Sequence, residues 1–218
     1  MLKNIHAVGW LGLAVGCLGA DVQPRKIAFV NRQVWTNHIY LMDVDASGTG
    51  LNPTRLTVDT EPENYSYWSP DGKRLVYQRD LDGSGVYVID ADGTGQKRLS
   101  PSPGFDTTPS WSPNGTKIVY VRLLQPPRPN QPPPMTDIRV MNADGTDDHA
   151  ILASTLFSVE PRWSVNNNIM FMSLMNGGGF EIYVMNVDGT ALRRLTNGAN
   201  NGDPVWSPDG AKISFGSN

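Results

Sequence analysis

Four Trp-Ser pairs, at Trp68, Trp111, Trp163 and Trp206, divide the sequence at spacings of 43, 52 and 43 residues. Three of them open the same stretch, W-S-P-(D/N)-G, at residues 68–72, 111–115 and 206–210. The other, Trp163-Ser164-Val165-Asn166-Asn167, has diverged. A second anchor runs in phase: Asp90-Ala91-Asp92-Gly93-Thr94, Asn142-Ala143-Asp144-Gly145-Thr146 and Asn186-Val187-Asp188-Gly189-Thr190, with residues 43–49 as a stretched first copy. A third anchor, Arg-Leu-(Thr/Ser), follows at residues 55–57, 98–100 and 194–196. A fixed period of this kind constrains the fold to stacked supersecondary units, because no single unit buries both of its faces alone.

Each copy reads as four short strands. One ends at the tryptophan. Ser-Pro-Asp-Gly then turns the chain, since Pro presets φ, Asp suits the next position and Gly accepts positive φ. Apolar runs such as Leu75-Val76-Tyr77 and Ile118-Val119-Tyr120-Val121 predict the second strand, and Val86-Tyr87-Val88-Ile89 and Ile182-Tyr183-Val184-Met185 the third. The Asp-Gly-Thr turn returns a short polar fourth strand. No helical period is present. The 22 glycines and 17 prolines fit a turn-rich all-β chain, and 39% hydrophobic residues suffice for a core.

W-S-P-D-G, followed by I-Y-V-M-N-x-D-G-T and R-L-T at residues 182–196, resembles the TolB-type β-propeller repeat over about residues 26–215. The expected fold is a β-propeller of four-stranded antiparallel blades, with four to five units. Three units are complete, at about residues 65–100, 109–152 and 160–196. Residues 26–57 lack the Trp strand, and residues 203–215 supply only two strands. The Trp206 strand either completes the leading unit and closes a small ring, or leaves an open arc whose edges invite self-association. No segment matches the N-terminal α/β domain of TolB itself.

Residues 1–20 read as an export signal. Met1-Leu2-Lys3 is basic, and residues 7–19 are uncharged, too short for a transmembrane helix but the length of a signal core. Leu13-Ala14-Val15-Gly16-Cys17 resembles a bacterial lipobox, which would make Cys17 a lipidation site; cleavage after Ala20 is the alternative. The expectation is a propeller at residues 21–218, either periplasmic, outer-membrane-associated through a lipid, or secreted. With one cysteine there is no internal disulfide. A net charge of −3 gives no general drive toward nucleic acid.

Catalytic signatures are missing: there is no G-x-S-x-G, H-E-x-x-H, Walker loop or dinucleotide fingerprint. Neither a catalytic residue nor a cofactor is expected. The acidic turns at Asp80, Asp82 and Asp90 fail as EF-hand calcium loops, because the twelfth positions are Ala91 and Pro101 where a bidentate Glu is required; no metal is expected. The binding candidates lie ahead of each tryptophan, where the chain enters the central channel: Tyr65, Thr108, Glu160 and Asp203, with Glu63 and Asp106 two residues further back. An acidic mouth of this kind suits a cation or a basic segment of a partner. The inserted residues 125–134 carry Pro126, Pro127, Arg128, Pro129, Pro132, Pro133 and Pro134, an extended arm between two strands suited to an aromatic-lined groove. The resemblance implies an exported, non-enzymatic scaffold for an envelope protein, with a peptidoglycan-associated lipoprotein as the partner it suggests. The alternative is a carbohydrate- or small-ligand-binding propeller, or a lyase-like remnant.

Overall fold

The computed structural model describes residues 25–32, 37–80, 84–198 and 200–218. Cys17, the export signal, and Leu81, Asp82 and Gly83 of one acidic turn lie outside the described residues. Among those described, seventeen strands and no helix form five antiparallel sheets in chain order. The first sheet is β1 (Arg25–Arg32), β2 (Asn37–Val44) and β3 (Gly50–Arg55). Three four-stranded blades follow. They are β4 (Glu63–Trp68), β5 (Arg74–Asp80), β6 (Ser84–Asp90) and β7 (Lys97–Arg98); then β8 (Asp106–Trp111), β9 (Lys117–Leu123), β10 (Met135–Asn142) and β11 (His149–Leu156); then β12 (Ser158–Trp163), β13 (Asn168–Ser173), β14 (Glu181–Asn186) and β15 (Arg193–Arg194). The last sheet is β16 (Asn201–Trp206) with β17 (Ile213–Ser217). β16 pairs only with β17 and the first sheet keeps three strands, so the tryptophan strand of the fifth unit does not complete the first. Of the two closures, the described residues form the open one.

The sequence dictates each blade through two devices. The first is the turn after the tryptophan. The Ser69 hydroxyl donates to Asp71 Oδ1 at 2.6 Å and accepts from the Arg74 amide at 2.9 Å, while Gly72 sits at φ +69°. Ser112 with Gly115 and Ser207 with Gly210 repeat this arrangement. In the diverged copy Asn167, at φ +59°, takes the glycine's place, which Asn tolerates better than other side chains do. The second device is alternation in a sheet buried on both faces. Leu75 and Tyr77 of β5 pack toward the first sheet, whereas Val76 packs toward the third. Ile118 and Tyr120 of β9 face the second sheet, and Val119 and Val121 the fourth. The core therefore lies in the seams between blades.

The tryptophans stitch those seams. The Trp111 indole donates to the Tyr67 carbonyl at 3.3 Å, and Trp206 donates to the Arg162 carbonyl at 3.2 Å. In both cases the acceptor precedes the tryptophan of the blade before. Trp163, in the diverged copy, donates instead within its own turn, to Asn167 Oδ1 at 3.3 Å. The leucine of each Arg-Leu-(Thr/Ser) anchor packs into the following blade: Leu56 and Leu99 are buried. Leu195, facing a sheet of two strands, is 42% exposed.

Candidate functional site

The strand that ends in tryptophan is irregular in the same way in four blades. Between Asn64 and Tyr67, Thr107 and Ser110, Val159 and Arg162, and Gly202 and Val205, the inner strand carries one residue more than its partner. The extra residue produces a β-bulge that bends the strand. Tyr65, Thr108, Glu160 and Asp203 stand at the four bulges, with φ of +51°, +49°, +53° and +55°. Three of them precede a proline (Pro109, Pro161 and Pro204), a residue that has no N–H to offer and tolerates a bulge.

Tyr65, Thr108 and Glu160 meet in one cavity of about 930 Å³. Blade two contributes Tyr65, Gln78, Asp80 and Ser84. Blade four adds Phe157, Val159, Glu160, Met172 and Phe180. The third blade supplies Phe105, Thr107, Thr108 and Leu123, together with the proline arm: Pro126, Pro127, Arg128, Gln131, Pro132, Pro133 and Pro134. The arm joins β9 to β10, so it leaves from the end of the blade where β8 begins, and it lies over the channel mouth. Pro129 does not line the cavity, and neither does Asp203.

Glu63 and Asp106 are not at the mouth. Both are fully buried. Glu63 accepts a hydrogen bond from Thr57 Oγ1 and lies 3.2 Å from His38 Nδ1, which also lies 3.1 Å from Arg55 Nη2. Asp106 accepts two hydrogen bonds from Arg122, at 2.7 and 2.9 Å. The geometry gives both residues a place inside the blades, where neither reaches the cavity.

Electrostatics single out Glu160. Burial pushes its carboxyl above the usual range; Arg162 at 3.7 Å draws it down and the Asp203 charge pushes it up again. Arg162 is engaged in part, its Nη1 being buried without a partner. Its guanidinium stacks 4.2 Å from the centre of the Tyr67 ring and donates to the Tyr67 hydroxyl. That contact joins the inner strands of blades two and four; Ser110 is the small residue at the same position of blade three. On the cavity wall the Thr108 hydroxyl has no hydrogen-bond partner, although Thr108 is only 3% exposed.

The carboxylates of the Asp-Gly-Thr turns are bonded within their own loops. Asp92 Oδ1 accepts from the Thr94 amide and hydroxyl at 2.9 and 2.7 Å; Asp144 with Thr146 and Asp188 with Thr190 do the same. These bonds hold the three carboxyls below the usual range. Among the described residues no group of three or more His, Cys, Asp or Glu side chains is placed to hold a metal ion. The aromatic wall formed by Phe105, Phe157 and Phe180 escaped the sequence reading. One signal was available: Phe105 and Phe157 both stand six residues before their tryptophans.

No protein-family model matches the chain. Over 39 residues it is 49% identical to the Tol-Pal system protein TolB of Rhizorhabdus wittichii, a match covering 18% of this chain and 9% of that protein. The structure of TolB from Acinetobacter baumannii superposes with a TM-score of 0.70 at 21% identity, covering 87% of this chain and 46% of the other. The chain has a TolB-like β-propeller fold. It spans about half the length of that solved TolB. The TolB-like fold is shared with enzymes: oligogalacturonate lyase from Vibrio parahaemolyticus superposes with a TM-score of 0.66 at 16% identity, covering 88% of this chain and 55% of the lyase.

Proposed function

We propose that the chain is an exported, non-enzymatic scaffold that docks an envelope protein at the face where the inner strands begin. The supporting observation is the shared bulge, which sets Tyr65, Thr108 and Glu160 around one cavity beneath the proline arm. Binding surfaces concentrate where irregular backbone is held by a rigid frame. The arm, rich in proline, adds an extended surface that loses little entropy on binding. A relative named as a Tol-Pal system protein supports an envelope setting and makes a peptidoglycan-associated lipoprotein the partner to test. Lipidation at Cys17 is the proposed route to the membrane, and open blade edges are a second surface for self-association.

Two experiments test this reading. Purified peptidoglycan-associated lipoprotein should bind the immobilised chain, and Glu160→Ala with Asp203→Ala should weaken binding by about tenfold, or about 1.4 kcal/mol. Equal binding by the double variant would remove the mouth from the interface. Labelled palmitate should enter the protein in bacterial cells and be lost in Cys17→Ser; an unlabelled protein found in the periplasm would point to cleavage and soluble export.

A further inference from the structure

The cavity beneath the proline arm carries a second meaning. Its volume of about 930 Å³ is that of a site for a small molecule. Its walls are of two kinds. Phe157 and Phe180, with ring centres 6.0 Å apart, join Leu123, Met172 and the arm prolines as an apolar lining. Against this lining stand two residues with polar groups, Glu160 and Thr108, from the inner strands of neighbouring blades.

Neither polar group is fully satisfied by the protein. Thr108 is buried with its hydroxyl unpaired, an arrangement that needs an explanation in a folded chain. Glu160 has one cation beside it, Arg162 at 3.7 Å, whose Nη2 turns to the Tyr67 hydroxyl while its Nη1 is buried without a partner, and the Asp203 charge acts on Glu160 as well. Two carboxylates with one cation leave negative charge at the inner wall. The other charged groups on the lining are Asp80, which accepts from Gln78 Nε2 at 2.8 Å, and the exposed Arg128.

We propose that this cavity binds small organic ammonium ions that carry an apolar body. The ammonium N–H groups donate to the Glu160 carboxylate and the Thr108 hydroxyl oxygen. The body lies among Phe157, Phe180, Met172 and the prolines. Anions of the same shape meet the Glu160 charge and are refused. The inference goes beyond the docking role and stands without it: it needs neither export nor a protein partner.

The test uses the full chain with methyl-labelled methionine, followed by NMR. Met172 lines the cavity, while Met141 is buried in the seam between blades two and three and serves as a reference. Three probes of one shape are titrated at mildly alkaline pH: 2-phenylethylammonium, 2-phenylethanol and 3-phenylpropionate. The expected result is a saturable shift of Met172, with the ammonium favoured over the alcohol by about tenfold and the carboxylate weakest. Glu160→Gln should abolish the preference for charge, and Thr108→Val should weaken the ammonium severalfold. Equal affinities for ammonium and alcohol in the natural sequence would overturn the proposal. So would the absence of saturable binding, or shifts confined to methionines other than Met172. The probe comparison needs no variant, so a misfolded mutant leaves the test intact.

Discussion

Five residues before each tryptophan, one polar side chain is buried near a blade seam, and its partners differ in each of the four copies. Glu63 meets His38 and Thr57 of the first sheet; Asp106 takes a forked pair of bonds from Arg122; Ser158 bonds Ser173 and Thr155; Asn201 donates to Glu181. Burial makes each of them sensitive to loss of its partner. Asp106→Ala leaves the Arg122 guanidinium, 21% exposed, without its forked acceptor and should cost about 3 kcal/mol, read as a lower urea midpoint. Glu63 gives a pH signature. Burial raises its carboxyl above the unfolded value, so the stability it contributes is present below about pH 4 and lost as pH rises through the folded value. The natural protein should therefore gain stability relative to Glu63→Gln as pH falls from neutral, in urea titrations of both proteins at two pH values. His38, Arg55 and Asp59 face the same pocket.

At the scale of the strand, the tryptophans do unequal work. Trp111, 6% exposed, packs in the seam between blades two and three and donates to the Tyr67 carbonyl across it. Trp111→Phe removes that bond and part of the packing, for about 2 kcal/mol. Trp163 donates inside its own turn, so Trp163→Phe should cost less; thermal unfolding of the two variants separates them. The blades themselves were legible in the sequence. Period-two alternation, Ser-Pro-Asp-Gly and Asp-Gly-Thr are local signals, and the strands fall where they place them. The mouth was legible only in part. Simple alternation puts residues 63 and 65 on one face, as it does 106 and 108. The bulge breaks that rule: positive φ at Tyr65 and Thr108 redirects their side chains, and Glu63 and Asp106 point into the blades. The fold of the arm over the mouth joins residues far apart in the chain, so no local pattern announces it.

Across the whole molecule, the seams are filled from the first sheet to the fourth and then thin out. Leu192, Leu195, Val205 and Phe215 are each 41–47% exposed around the two-stranded last sheet. Strand edges with apolar surface pair readily with another chain. Light scattering of the chain should show mass rising with concentration, and Phe215→Lys should shift the distribution toward the monomer. A monomer at every concentration would mean that the edge is covered by other means.

The repeated bulge has a consequence for how such a molecule changes over generations. Tyr65, Thr108, Glu160 and Asp203 share one backbone shape although their side chains range from an aromatic ring to a carboxylate. That shape is held by the ladder, the tryptophan stitches and the serine turns, none of which depends on what the bulge residue is. Recognition and folding are thus written in separate alphabets along one strand. A lineage can respell the mouth, blade by blade, while the frame that carries it stays fixed.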